Sequence, residues 1–192
     1  YLYSLVANRD SAANLDIVFD EDSFADYRTT SEYFLTPTNQ RVFPTVPVFL
    51  VRQRLEDLLE WSAQELSLGV YHPLVIAGMF HLLFLQIHPY RTANHRLAQV
   101  LTWRLLDQHG FGFVRHSHFT PILQERTTGY FNALRQSEKT AYDNWQTANT
   151  WLEFFCDTLI AASDKLSDES EKSVDQSRLS VVQKRIIDVV KS

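Results

Sequence analysis

The sequence predicts a mainly α-helical domain with one small β-hairpin, and three observations carry that expectation. Glycine and proline are sparse, at 5 and 6 residues in 192, too few for the many tight turns of an all-β fold. Apolar residues recur at helical spacing over several long stretches. The chain is 45% hydrophobic and 21% charged, which describes a well-cored globular domain rather than a disordered one.

The elements follow in order. Residues 1–25 form a lead-in of mixed character. Tyr33-Phe34-Leu35 and Arg41-Val42-Phe43 are short strand-like runs around Thr36-Pro37-Thr38-Asn39-Gln40, which has turn chemistry, so a hairpin is expected. Pro44 and Pro47 punctuate a helix start, and Val51, Leu55, Leu58, Leu59 and Leu66 mark its apolar face up to Gly69. His72-Pro73 opens the next helix, which is apolar nearly all round to about His88 and therefore belongs at the centre of a bundle. His88-Pro89 breaks it. From Asn94 a further helix runs through Leu97, Leu101, Leu105 and Leu106 to Gly110. Thr120-Pro121 caps another helical region, which Gly129 is expected to divide. Trp145, Ala148, Leu152, Phe155 and Leu159 trace one face of a last core helix. Residues 163–177 are polar, charged and serine-rich and read as a linker, and Leu179, Val182, Ile186 and Val189 outline a C-terminal amphipathic helix within 178–192.

Charge and cysteine content bound the function. A net charge of −5 gives no global pull toward nucleic acid or an anionic membrane. The single cysteine, Cys156, excludes an internal disulfide and a cysteine metal cluster; its surroundings read as core helix and an inert thiol. There is no basic region followed by an apolar run at Tyr1-Leu2-Tyr3. The most apolar stretch, residues 73–87, falls short of the roughly 20 residues that span a bilayer. A cytoplasmic, reducing setting is the expectation, with self-association left open.

One region departs from this acidic background. Between His88 and His118 lie four arginines (Arg91, Arg96, Arg104, Arg115) and five histidines, against one acid, Asp107. A basic solvated helix face would account for it. A sharper account is an anion site. A loop leads into the helix at Asn94, whose first N–H groups and positive dipole end suit a phosphate. Ala93 is small enough to let one approach, and Arg96 in the first turn adds a charged grip. His88, ending the preceding helix, is placed to take a proton near neutral pH. Singly, each residue has a plainer reading: His88 as a helix-end histidine, Asn94 as an N-cap, Tyr90 as a core aromatic. Together they make a phosphoryl- or nucleotidyl-transfer layout. The remaining histidines, His116 and His118 included, form no recognisable metal-ligand pattern.

Ile87-His88-Pro89-Tyr90-Arg91-Thr92-Ala93-Asn94-His95-Arg96 resembles the signature of the Fic family, H-x-F-x-[D/E]-G-N-G-R-x-x-R. His88, Tyr90, Asn94 and Arg96 carry the match. Pro73-Leu74-Val75-Ile76-Ala77 and His81 before it, and Tyr130-Phe131-Asn132-Ala133-Leu134 and Trp151-Leu152-Glu153-Phe154-Phe155 after it, also resemble the family, as does Asp26-Tyr27-Arg28-Thr29. The resemblance implies a Fic-type helical bundle with a hairpin flap over residues 26–162. It implies AMP transfer from ATP to a hydroxyl of a target protein, with His88 as the base. Asn94 and the backbone of Ala93 to Arg96, His95 included, would form the phosphate cradle. Arg96 would grip phosphate oxygens and Tyr90 would anchor the loop. Tyr33, Phe34 and Leu35 would form the flap that aligns the target by strand addition.

Three positions depart from the family pattern. Thr92 stands where an acid holds Mg²⁺, and a hydroxyl is a poor ligand for that hard cation, so Mg²⁺ use is in doubt. Ala93 and His95 replace the two glycines; a Doc-like branch that phosphorylates has Ala-Asn-Lys-Arg here, and a protonated His95 would imitate its lysine. Gln99 replaces the second arginine. The family's inhibitory motif, [S/T]-x-x-x-E-[G/N], is matched by Ser167 to Glu171 only in its first part, because Lys172 follows. These departures set a weakened transferase against an inactive Fic protein that acts as a binding or regulatory module. Fic proteins often carry a winged-helix module after the domain, and residues 178–192 would correspond to its first helix.

Overall fold

The computed structural model describes residues 27–117, 119–137 and 148–190, with residues 171–190 as helix backbone only. Trp145 and His118 lie outside the described residues, as do the lead-in 1–25 and Asp26. Strand β1 (Tyr33–Leu35) pairs antiparallel with β2 (Arg41–Pro44), with an irregularity between Phe34 and Leu35. A 3₁₀ turn (Val48–Leu50) leads into α1 (Val51–Leu68). Then come α2 (Pro73–Ile87), α3 (Asn94–Gln108), a second 3₁₀ turn (Gly112–Arg115), α4 (Phe119–Glu125), α5 (Thr127–Gln136) and α6 (Asn149–Val190).

Helix α2 is the axis of the fold. Every residue from Ile76 to Ile87 is buried, because α1, α3 and α6 all pack on it. A helix apolar on every side is stable only where neighbours cover every side. Helix α6 approaches it closely at Gly78. A Cβ built at Gly78 would lie 2.9 Å from side-chain carbons of both Leu152 and Phe155, and the Trp151 indole donates to the Gly78 carbonyl at 2.7 Å. Buried Trp151 is thus a core residue that the periodicity at Ala148, Leu152, Phe155 and Leu159 does not single out.

The hairpin forms for the reasons its turn residues suggest. Thr36 exchanges bonds with the turn: its N–H donates to Gln40 O, its carbonyl accepts from Asn39 N–H, and its hydroxyl accepts from Gln40 N–H. Asn39 takes a left-handed φ of 60°. Inside the hairpin, Phe34 stacks on Phe43 at 5.0 Å and both face the core, while Tyr33 and Leu35 face outward.

Two local expectations are corrected. The break between α4 and α5 falls at Arg126, and Gly129 lies inside α5, where its bare Cα faces the Phe154 ring at the α6 interface. Residues 163–177, expected as a linker, are helical and continue α6 without interruption. No glycine or proline occurs in that segment, so nothing in it stops a helix once the core-packed turns have nucleated one. Among the described side chains Ala162 is the last buried one, and residues 167–170 are exposed. Among the described residues no helix is long and apolar enough to cross a membrane.

Candidate active site at the start of helix α3

The loop between α2 and α3 is shaped by two left-handed residues. His88 ends α2 with φ 48° and ψ 60°, its N–H donating to Phe84 O, and Ala93 precedes α3 with φ 60° and ψ 10°. Asn94 closes the loop between them. Its Oδ1 accepts from Tyr90 N–H at 2.9 Å and its Nδ2 donates to Tyr90 O at 2.6 Å. The side chain of this buried residue therefore serves the loop's shape, and what α3 offers an anion is backbone. No side chain caps α3, so the N–H groups of Asn94, His95 and Arg96 keep the free character of a helix start. Tyr90 anchors the loop as expected. It forms a β-bridge with Tyr27, and the two rings stack at 5.8 Å.

Arg28 sets the whole loop in place, a role that sequence reasoning missed. It is 1% exposed, and among the described residues no carboxylate forms a salt bridge with it. Its Nε donates to His88 O at 2.7 Å and its Nη1 to Thr30 O at 2.7 Å, while Nη2 donates to Val46 O and, at 3.2 Å, to Ile87 O. Its backbone N–H donates to Pro89 O. A guanidinium with five N–H donors fits this set of carbonyls, two of which are final carbonyls of α2, where a cation is favoured. The arginine is visible in Tyr27-Arg28-Thr29, but nothing in the sequence tells that it turns inward.

The His88 ring lies mostly buried, edge-on to Phe34 at 5.9 Å, with Nδ1 3.5 Å from Glu32 Oε2. Burial pushes its pKa below the ordinary histidine value. Glu32 opposes that shift and Arg28 adds to it. His88 is therefore neutral at neutral pH, the form a base requires. Glu32 is a second residue that sequence reasoning missed, and no sequence signal marks it.

His95 turns its ring inward, edge-on to Tyr130 at 5.4 Å. Burial, then Arg96, then His88 lower its pKa to about 4. It is uncharged at neutral pH and does not imitate a lysine, which corrects that expectation. Beneath it His81 is fully buried, between Thr102 Oγ1 at 3.2 Å and the Tyr130 hydroxyl at 3.3 Å, and stacked on Trp151. Its pKa falls to about 3, chiefly by burial. It is a structural histidine.

Beside the start of α3 lies a cavity of about 360 Å³. His95, Arg96, Gln99 and Trp103 line it from α3, Phe131 from α5 and Pro37 from the hairpin turn. Gln99 is 6% exposed and Trp103 Nε1 is buried without a hydrogen-bond partner. The wider basic region does not act as one. Asp107 binds Arg115 through Oδ1 at 2.5 Å and meets Arg104 at 3.4 Å, at the far end of α3. Arg91, Thr92 and Arg96 are exposed at the loop.

A model of the Fic/DOC family matches residues 15–106, the span that holds the hairpin, the loop and α3. Over those residues the chain is similar to the Fic/DOC family. Solved Fic structures share its fold. A Fic family protein from Desulfovibrio desulfuricans G20 aligns with 76% of this chain at 23% identity and a TM-score of 0.61, covering 41% of that protein. A Fic domain containing signaling protein from Bacteroides thetaiotaomicron VPI-5482 aligns with 71% at 20% identity and a TM-score of 0.55, covering 52% of that protein. The chain thus spans about half or less of these Fic proteins. A search of curated proteins gives no match. Cys156 is half-buried on α6, its thiol pKa raised by burial and by Asp157, in keeping with an inert side chain.

Proposed function

We propose that this Fic domain transfers AMP from ATP to a hydroxyl of a target protein, at a rate held down by Thr92 and Gln99. The observation that carries the proposal is that His88, neutral and partly accessible, and the uncapped start of α3 stand at the two ends of one short loop clamped by Asn94 and Arg28. In the proposed step the target hydroxyl gives its proton to the free ring nitrogen of His88. Its oxygen forms a bond to the α-phosphorus, the bond from that phosphorus to the bridging oxygen breaks, and diphosphate leaves. The N–H groups of Asn94 to Arg96 and the Arg96 guanidinium would hold the phosphate oxygens. The neighbouring cavity supports this reading as a place for the rest of the nucleotide. The outward-facing Tyr33 and Leu35 of β1 would receive the target segment.

The residues around Thr92 do not fit Mg²⁺. The exposed Thr92 offers a neutral hydroxyl, and among the described residues no cluster of three His, Cys, Asp or Glu is placed to hold a metal. The departure at Thr92, with neutral Gln99 facing the cavity, also favours a second reading, in which the domain binds an anionic ligand or a protein without turnover.

The test is transfer of α-labelled ATP to the chain itself and to a lysate, with His88→Ala as control. Labelling lost in His88→Ala supports the transferase. Equal labelling by both proteins removes it. Calorimetry with ATP, with and without Mg²⁺, separates binding from turnover.

A further inference from the structure

We propose that Glu32 is the positioning residue for His88: its carboxylate fixes the proton on Nδ1 and leaves Nε2 as the face that accepts the substrate proton. This rests on the reading of His88 as the base. The geometry is specific. Nδ1 is shut off from solvent and has no partner with hydrogen-bond geometry among the described residues, and Glu32 Oε2 is 3.5 Å away. A buried ring nitrogen facing a carboxylate is the N–H donor of the ring, because an acceptor there would face an acceptor.

The carboxylate is itself tethered. Its Oε1 accepts from the Thr30 hydroxyl at 3.2 Å. Its backbone carbonyl accepts from Thr45 twice, from N–H at 3.1 Å and from the hydroxyl at 2.8 Å. Arg28 binds both segments at once, holding Thr30 O on the Glu32 side and His88 O on the other. Phe34, two residues after Glu32, sets the ring's tilt from its edge. The charged and titratable groups around His88 are therefore Glu32 from the segment before β1, Arg28 from the segment before that, and His95 from α3.

A role in stability alone does not account for the pair. Glu32's side chain is 34% exposed and the ring it faces is neutral, so the contact adds little to stability. What such a carboxylate can do is choose the tautomer and orient the ring, as the carboxylate does behind a catalytic imidazole in hydrolases.

The experiment is ¹⁵N NMR of the histidine rings in the 192-residue chain, with His88→Gln to assign the signals. Wild type, Glu32→Gln, Glu32→Asp and Thr30→Ala are compared, each checked for an unchanged unfolding midpoint. In the wild type, His88 is expected in the Nδ1–H form. Glu32→Gln is expected to mix the tautomers and lower the His88 titration midpoint by about one pH unit. Thr30→Ala, which leaves the charge in place and frees the carboxylate, is expected to shift the tautomer in the same direction with a smaller change in midpoint, and serves should Glu32→Gln fail to fold. A His88 tautomer and midpoint unmoved in these variants would overturn the proposal. A tautomer change with no label transfer by any form, wild type included, would keep Glu32's role and remove the transferase reading. Where transfer is measurable, kcat in Glu32→Gln should fall about tenfold or more with KM for ATP unchanged.

Discussion

Arg28→Met removes the guanidinium and keeps most of the apolar stem, which isolates what the charge does. Four carbonyls, those of Thr30, Val46, Ile87 and His88, lose their donor in one step. A hydrogen bond from a charged group contributes roughly 1.5 kcal/mol or more, so the gross loss is about 6 kcal/mol. Part returns, because methionine no longer carries the desolvation cost that pulls the Arg28 pKa down. Each carbonyl left without a donor costs about 1–3 kcal/mol where water does not reach it, so after that return the net loss should be about 3–5 kcal/mol. That is a large fraction of the about 5–15 kcal/mol available to a domain. Urea unfolding followed by circular dichroism measures the loss. Hydrogen exchange at residues 88–93 should rise well before that of α2's centre, since the guanidinium clamps the loop rather than the bundle. A loss below about 1 kcal/mol would refute the argument, because the carbonyls would then have found water or other donors without cost.

Other outcomes follow from the same contacts. His81 and His95 have folded pKa values of about 3 and about 4, below the ordinary 6.5, so the unfolded chain takes up their protons first and stability, full above pH 6.5, is lost as pH falls toward 4. Each contributes a slope of about 1.4 kcal/mol per pH unit near pH 5, measurable as a fall in urea midpoint, and a flat profile would contradict it. Ala93→Gly relieves a left-handed alanine worth about 1–2 kcal/mol against a backbone-entropy cost of about 0.4–1, so thermal melting should show a small gain rather than a loss. Gly78→Ala forces Leu152 and Phe155 apart at the α2–α6 contact and should cost about 1–3 kcal/mol in urea unfolding. The double change Thr92→Asp with Gln99→Arg should raise ATP-dependent labelling at least tenfold in the presence of Mg²⁺. No gain would mean that the deficit lies elsewhere.

The bundle was legible because its signals are local. Helix α2 is apolar on all sides, and Pro73 opens it at the expected position. The hairpin turn carries its own chemistry in Thr36 and Asn39. At the site, the order His88, Tyr90, Asn94 and Arg96 is readable because those residues share one loop and one helix start. What Asn94's side chain does is not, since an N-cap, a phosphate ligand and a loop clamp have the same one-letter appearance. Arg28 and Glu32 lie 60 and 56 residues from His88, and no local pattern announces which arginine folds inward or which acid faces a ring. The arginine-rich run was legible as composition but misleading as a site, because Asp107 absorbs Arg104 and Arg115 at the wrong end of α3. The 163–177 segment was misread because polarity signals exposure, and exposure does not exclude helix when glycine and proline are absent.

These placements divide the chemistry into two tasks met to different degrees. In the proposed reaction, proton removal is well provided. Burial keeps His88 neutral at physiological pH, the form a base requires, with Glu32 opposing that shift and Arg28 adding to it. Charge neutralisation is thin. The cradle has uncapped N–H groups and one exposed guanidinium, Arg96, while His95 stays uncharged and Gln99 presents a carboxamide. Phosphoryl-type transfer depends mostly on positioning and electrostatic stabilisation rather than on the base. If AMP transfer occurs here, its slow rate is set by anion stabilisation, and it should respond more to an added cation at position 99 or an added carboxylate at position 92 than to any change that makes His88 more basic.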